Sequence, residues 1–487
     1  MFLLPDDAYG EEDVRVFSAD KLRSRYRTHV VVLGDIGRSP RMQNHAIALA
    51  RRSAAVNLIG YTDTELHPEI ASKQHRHLTV HPIYKGPAWL NSPNPSLFMI
   101  LGPLKALWQF AALWMILSHE TKPARFMIVQ NPPSIPTLAV CSMMCWLRKT
   151  QLVIDWHNTG HSVLAMKLGK SHPFVEISKA FERYYSGSAK INFTVSDAMR
   201  RQLKRDFNIA APLLRLYDRP TADFRPASPE ERLEFLTDMD LPTAQQAALE
   251  KGQLKVLVSS TSWTQDEDFG LFLNSLVEYS KLAFTTNTSL PELLVVITGK
   301  GPQKSLYTQK ISALEKDGKL KKVDIKTAWL PTAAYAMLLA SADLGVCLHK
   351  SSSGVDLPMK VVDMFGAGLP VAGYSLYESW PELVKEGVNG RGFGNSEELT
   401  SILVQLLGDD GKRLQALKEG VLRERENDWD TEWSSCAGEV LGLNDQPKIN
   451  AEAQEETEAL IAKAKNQRNL HFGTKPPGAT DASDYKK

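Results

Sequence analysis

The feature that most restricts the fold is a rhythm of short β-branched runs separated by helical patterns, sustained along most of the chain. From Tyr26, "THVVVLGDIG" ends in a glycine loop and "MQNHAIALARR" follows with helical spacing. "AAVNLIGY", "RHLTVHPI", "ARFMIVQNPP", "TQLVIDWHN" and "INFTVSD" come next as strands, most of them with helical stretches between. The rhythm breaks at "LLRLYDRPTADFRPASPEE", which is rich in prolines and turn residues. It restarts with "LKVLVSSTSW", "ELLVVITGKGP", "KVDIKTAWL" and "DLGVCLHKSS". Strands alternating with helices form parallel sheets joined by right-handed crossovers. The expected fold class is therefore α/β, with two doubly wound, Rossmann-like domains facing across a cleft.

The expected boundaries follow the texture. Residues 1–25 are an N-terminal extension, 26–215 the first domain, 216–231 a linker, 232–440 the second domain, and 441–487 a charged tail of disordered composition. A chain of 487 residues is too long for one ordinary core. Its formal net charge of +1 provides no field to recruit nucleic acid, and none is expected as a partner. Four cysteines do not make a disulfide framework. Cys141 and Cys145 lie one helical turn apart in an apolar run without histidines at ligand spacing, so they read as core thiols and no metal site is expected. "DMD" at Asp238 to Asp240 reads as a solvated turn.

The longest apolar run is "SLFMILGPLKALWQFAALWMILS", Ser96 to Ser118. It approaches the roughly 20 residues of a spanning helix, but Gly102-Pro103 breaks it and Lys105 sits near its middle. A helix docked on a membrane face, with Trp89, Trp108, Trp114 and the Phe98 to Leu101 run in the headgroup layer, fits better than a span. Burial as cover for a parallel sheet is the competing reading. The opening "MFLLPDDAYGEED" has an apolar stretch too short for a secretory signal.

The segment "SSSGVDLPMKVVDMFGAGLPV" carries charges where a core helix would not. Pro358 suits a first helical turn, and Asp356, Lys360 and Asp363 then fall at spacings of four and three, one stripe. Ser353 and Gly354 precede the helix start, where free amides favour an anion. The parts fit a nucleotide-sugar diphosphate: amides and Lys360 on the phosphates, Asp363 accepting ribose hydroxyls. A solvated lysine–aspartate pair is the plainer alternative. Other strand-end loops offer Ser260 and Thr261, then Gly299, Lys300 and Gly301, and Glu382, all on the edge where open α/β sheets bind ligands.

"PMKVVDMFGAGLPV" resembles the donor-site helix of GT-B glycosyltransferases. "VVVLGDIGRSPRMQNHA", "QNPPSIPTL", "DWHNTGHS", "SSTSWTQDEDF" and "SADLGVCLHKSSSGVDLPMKVVDMFG" are similar, in collinear order from Thr28 to Trp433, to the chitobiosyldiphosphodolichol β-mannosyltransferase family. The resemblance implies transfer of mannose from GDP-mannose to GlcNAc2-diphosphodolichol in β-1,4 linkage, at the endoplasmic reticulum membrane with the catalytic domains on the cytosolic side. It also implies company with related mannosyltransferases of the same pathway. Retaining transferases carry two glutamates eight apart on this segment; here Asp363 takes the second place and Val355 the first. The membrane helix expected of the family is not among the opening residues: either it is missing from this sequence, or the run from Ser96 does the anchoring.

Inversion at the sugar carbon requires one base and a stabiliser for the departing diphosphate. No tightly bound cofactor is expected, and a divalent cation is compatible with the sequence without being implied by it. Asp35, at the end of the first strand, is the preferred base, with a turn or capping role as its alternative. Gly34 and Gly37 would let substrate approach, and Arg38 and Arg41 would face the acceptor diphosphate. His157 competes as base or as a contact to the donor sugar, with Asn158 and His161 on the acceptor side. Two rivals keep the fold: a UDP-GlcNAc-dependent transferase, and a catalytically silent scaffold for partner transferases.

Overall fold

The structure, a computed structural model, describes residues 26–443 apart from 53, 92–97, 240, 265–266 and 426–427. The extension 1–25, the tail from 444, Asp240 and the first two residues of the 96–118 segment lie outside the described residues, as do the side chains of 98–100.

Seven parallel strands form the first sheet: β1 Thr28–Asp35, β2 Val56–Tyr61, β3 Leu78–Pro82, β4 Phe126–Asn131, β5 Gln151–Trp156, β6 Ile191–Thr194 and β7 Leu213–Arg215, in the order β3-β2-β1-β4-β5-β6-β7. The order reverses between β1 and β4, which opens a crevice at their carboxyl ends. The period of two along β1 divides its side chains between two cores. Val30 and Val32 pack with helix α1 (Pro40–Arg51), while Val31 and Leu33 pack on the other face. That second face is covered by α2 (Phe98–Met115), α3 (Thr137–Arg148) and α5 (Pro173–Ser186), with α4 (Gly160–Leu168) before α5 and α6 (Asp197–Phe207) after it.

The second sheet has six parallel strands: β8 Leu254–Ser260, β9 Glu292–Thr298, β10 Val323–Ala328, β11 Leu344–Cys347, β12 Val371–Tyr374 and β13 Gly390–Phe393. Their order is β10-β9-β8-β11-β12-β13, reversing between β8 and β11. Helices α7 (Thr332–Ser341) and α8 (Met359–Gly366) cover one face. Both halves are thus doubly wound and built alike.

Two expectations about boundaries change. Helix α9 (Trp429–Trp433) and the turn after it leave the second lobe: Trp433, Ala437, Leu441 and Leu443 are buried in the first-lobe core against α1. Apolar spacing in 429–443 is satisfied there, so the first lobe, and not the second, holds these residues. The apolar run of α2 buries Leu113 in the sheet and, just past its end, Ile116 and Leu117, and it exposes Leu104, Leu107 and Trp108. Its carboxyl half is cover for the sheet and its outer face is not.

Candidate active site

Asp35 ends β1, and its carboxylate is occupied. Oδ1 accepts from the amides of Asp63 (3.0 Å) and Thr64 (3.3 Å), and Oδ2 from the Thr64 hydroxyl (2.6 Å). Burial alone would raise its pKa, but the Thr64 hydroxyl and the amides of Asp63, Thr64 and Gly37 outweigh it and hold the carboxyl below its ordinary value. Such a group is a weak base. A Cβ on Gly37 would stand 2.3 Å from Thr64 Oγ1, so the chain's own loop fills the space expected for substrate; a Cβ on Gly34 would meet only Val32, at 3.6 Å. Arg38 is 79 % exposed and reaches Asp35 at 3.6 Å. Its guanidinium remains open to the cleft.

Arg41 does not face an acceptor. Its side chain is 3 % exposed, and its guanidinium donates to both oxygens of Asp155 (2.8 and 2.9 Å), to Asp218 (2.9 Å) and to the Leu216 carbonyl (2.8 Å). A buried arginine needs this many acceptors to offset lost hydration. Asp155, fully buried at the end of β5, would have its pKa raised by burial, but the Arg41 guanidinium holds it well below the carboxylate range.

This ionised carboxylate settles two tautomers. Trp433 Nε1–H donates to His45 Nδ1 (2.9 Å), so His45 carries its proton on Nε2 and donates it to Asp155 (3.2 Å). Burial keeps His45 neutral by pushing its pKa down. His157 Nε2 also donates to Asp155 (3.0 Å), which leaves Nδ1 as the atom of His157 with a free lone pair; the side chain is 23 % exposed. A histidine oriented by a buried carboxylate is suited to accept a proton.

The neighbouring loops hang on one residue. Glu182, fully buried on α5, accepts from Asn131 Nδ2 (2.9 Å), the Ser134 hydroxyl (2.6 Å), the Gly160 and His161 amides (2.6 and 3.2 Å) and His161 Nδ1 (2.7 Å). It joins the loop after β4 to the amino end of α4, where acidic charge is favourable. The His161 ring is thereby committed to positioning.

In the second lobe the expected stripe does not form. Helix α8 starts at Met359 with Pro358 as its cap, so Asp356 lies in the loop before it. Its carboxylate accepts from His349 (3.2 Å), Ser351 and Ser353 (3.0 Å), which spends Asp356 and Ser353 on shaping the loop. Burial would raise the Asp356 pKa; His349 and the two serines outweigh it and hold the carboxyl low. Gly354 adopts φ +77°, which only glycine takes without strain. Lys360 pairs with Glu267, a buried carboxylate that also accepts from the Thr261 hydroxyl and the Ser262 amide (2.7 Å).

Asp363 is different. Its carboxylate has no hydrogen-bond partner among the described residues, and burial, helped by the charge of Asp218, pushes its pKa up to about 7. Close by, the Ser260 and Tyr335 hydroxyls meet at 2.9 Å. A Cβ on Gly299 would fall 1.8 Å from the Thr261 carbonyl and one on Gly301 1.8 Å from that of Ser262, so the two glycines seat the loops after β8 and β9 against each other. Lys300 is exposed, its ammonium 4.2 Å from the centre of the Trp329 ring.

The lobes meet at these same loops. Asn158 Nδ2 donates to Ser352 Oγ (3.0 Å), Ser196 Oγ donates to the Val355 carbonyl, and Val355 is buried in the first-lobe core. Among the described residues the Glu382 carboxylate has its hydrogen-bond partners outside the donor-side loops. Its carboxylate crosses to the first lobe and accepts from the amides of Asp197 (2.6 Å) and Ala198 (2.7 Å) at the start of α6, and from Tyr217 OH (3.2 Å). Helix dipole and unpaired amides explain the attraction.

No family model matches the chain. A chitobiosyldiphosphodolichol beta-mannosyltransferase of Arthroderma benhamiae is 50% identical over 360 residues, covering 73% of this chain and 80% of the relative. The chain belongs to the chitobiosyldiphosphodolichol beta-mannosyltransferase family. A Yarrowia lipolytica relative of the same name is 38% identical over 87% of this chain and 88% of its own length. The Arabidopsis thaliana protein named UDP-glycosyltransferase TURAN is 38% identical over 86% of this chain and 97% of its own. The solved structure of Anabaena HepE with UDP and glucose, 13% identical, superposes with a TM-score of 0.59 over 86% of this chain and 99% of that one. That likeness is one of fold, the GT-B arrangement.

In this glycosyltransferase the cleft therefore brings together His157, Asn158, the 352–356 loop, Lys360, Asp363 and Ser260. It turns Arg41, His161, Asp356 and Glu382 into structural ties, and Gly37 into a packing position. Glu182, Glu267 and Asp218 were not read from the sequence. Glu182 had a signal: it shares the buried spacing of Val175, Ser178 and Ser186 on an amphipathic helix, where a lone carboxylate must find several donors. Asp218 had none, because its partner Arg41 lies 177 residues away, and Glu267 had none for its pairing with Lys360, 93 residues on.

Proposed function

We propose that the chain transfers mannose from GDP-mannose to the terminal sugar of GlcNAc2-diphosphodolichol, forming a β-1,4 linkage with inversion, on the cytosolic face of the endoplasmic reticulum membrane. The observation that carries the reading is the Asn158–Ser352 contact. It sets His157, one residue away, against the loop that leads into Lys360 and Asp363. The acceptor hydroxyl attacks the mannose carbon from the side opposite the diphosphate, the carbon–oxygen bond to GDP breaks, and the hydroxyl proton passes to His157 Nδ1. Lys360, shared between Glu267 and the diphosphate, and the loop amides stabilise the departing charge. Asp363 accepts ribose hydroxyls, while Thr261 and Lys300 lie at the rim of the donor side. Arg38, exposed just past β1, is offered to the acceptor diphosphate.

The test is incubation with GDP-mannose and a phytanyl-diphosphate chitobiose acceptor, the product linkage being read by NMR. One β-linked mannose is expected. Turnover with UDP-GlcNAc and none with GDP-mannose would defeat the proposal and favour the UDP-dependent reading, which the name of the Arabidopsis relative motivates.

A further inference from the structure

The outer surface of the first lobe is unlike the rest of the molecule. Helices α2, α3 and α5 pack side by side over one face of the sheet, and their outward sides are apolar. On α3, Trp146 is 79 % exposed, with Met143 and Leu147 beside it. On α5, Tyr184 is 76 % exposed and Ile177 is exposed one face-repeat earlier. Leu107 and Trp108 continue the surface onto α2. Tryptophan, tyrosine, leucine and methionine on adjoining helices form a patch that a soluble exterior does not normally carry.

Charge is segregated on the same segment. Between residues 98 and 190 there are ten lysines and arginines against four carboxylates, and two of those four, Asp155 and Glu182, are buried. The whole chain carries +1, so this segment is basic and the remainder compensates; within the three helices the charges are Lys105, Arg148, Lys179 and Arg183 against Glu176 and the buried Glu182. Lys105, Lys149, Arg183 and Lys190 are exposed on or at the ends of the three helices. Apolar and aromatic side chains with cations around them match the chemistry of a bilayer interface: rings and aliphatic groups among the acyl chains, ammonium groups among phosphates.

We infer that the outer face of α2, α3 and α5 lies flat on an anionic lipid surface, and that α3, through Trp146 and Leu147, is a principal docking element outside the 96–118 run. Helix α3 begins beside the loop after β4, at the cleft edge, and runs back along the sheet. With this face on the bilayer, the cleft opens sideways at headgroup level. A lipid-linked diphosphate then enters without leaving the membrane. The inference rests on the proposed lipid acceptor for its purpose, but its test contains no sugar.

The full chain is mixed with vesicles of phosphatidylcholine, with or without about one third phosphatidylserine, and the bound fraction is read by flotation. Binding is expected to be stronger on the anionic vesicles. Trp146→Glu with Leu147→Glu should lower the partition about tenfold or more, and Lys149→Glu with Lys190→Glu should lower it on anionic vesicles only. The second pair alters exposed side chains, so it remains informative if the first fails to fold. Equal partition of the folded variants and the parent protein would overturn the inference. So would parent protein that ignores vesicles and instead self-associates through this face, losing the association on substitution at Trp146. Turnover of a short-chain acceptor in detergent should be unchanged in all variants; failure of that assay in the parent would count against the proposed reaction and not against the docking face.

Discussion

At the strand ends of the first lobe the carboxylates of Asp35, Asp155 and Glu182 are all paired, whereas in the second lobe Glu267 and Asp356 are paired and Asp363 is not. Asp155 and Glu182 each hold several donors, and between them they fix Arg41, His45, His157 and His161. Across the cleft, Asp363 faces Asp218 and Tyr335 without a hydrogen-bond partner among the described residues, and its pKa lies near neutrality. Two sheets of the same plan thus end in different electrostatics. On the proposed reaction, the reacting group is organised before any substrate arrives and the binding group is completed by a ligand that supplies the missing donors.

The comparison breaks most visibly at Asp155. Asp155→Ala leaves Arg41 buried without its two strongest acceptors, which should cost about 3–5 kcal/mol of unfolding free energy. Urea denaturation followed by tryptophan fluorescence measures it. A loss below 1 kcal/mol, within the range of an exposed pair, would mean the first lobe is not held as described.

The assignment of the base sharpens it next. His157→Ala should lower kcat by about 10²–10⁴, with a smaller change in KM for the donor. Asp35→Asn keeps an oxygen for the two amides, its NH2 can donate to the Thr64 hydroxyl, and the variant should stay within about tenfold of the parent. The reverse pattern in steady-state assays would return the role to Asp35.

That contrast also shows what the sequence could and could not convey. Strand ends, glycine loops and the switch from a period of two to helical spacing are local, so both sheets and the cleft between them were readable. The surroundings of a side chain are not local. Asp35 looks like a base when only "GDIGRSPR" is considered, yet it is saturated by Thr64, 29 residues away. Arg41 looks free to meet a phosphate, but its partners come from β5 and the segment at 216–218. Glu382 sits in a segment that suggests donor binding, on the short helix Trp380–Leu383, and reaches the opposite lobe. Lys360 is paired through the fold as well, with Glu267 93 residues away, a partner that its own segment does not reveal.

Asp363 gives the third test. If ribose hydroxyls donate to its carboxylate, binding favours the ionised form, and donor affinity should rise about tenfold between pH 6 and pH 8 as the group loses its proton. Stability moves the other way. The folded state holds this proton up to about pH 7 while the unfolded chain releases it near the ordinary aspartate value of 3.8. This group's contribution to unfolding free energy therefore falls as pH climbs through that window and levels off above it. Asp363→Asn should remove both dependences. Isothermal titration with GDP-mannose at the two pH values, beside denaturant titrations, decides the matter; a flat affinity profile in the parent would place the ribose elsewhere.

The smallest expected effect concerns how the lobes are joined. Glu382 brings a carboxylate to the amino end of α6, where two amides and a helix dipole await it, an interaction of about 1–2 kcal/mol. Ser196 and Asn158 bond to the 352–355 segment at the same seam. Weakening the clasp should therefore loosen both sides of it together, and with them the alignment of His157 against Lys360. In Glu382→Gln, amide exchange at Asp197 and Ala198 should quicken by about tenfold, accompanied by faster exchange over residues 352–355, while β1 and β8 keep their protection. Faster exchange at α6 alone would mean the carboxylate merely caps a helix. Coupled loosening would show that the preorganised lobe and the one that awaits its ligand are held in register by a group belonging to neither reaction step.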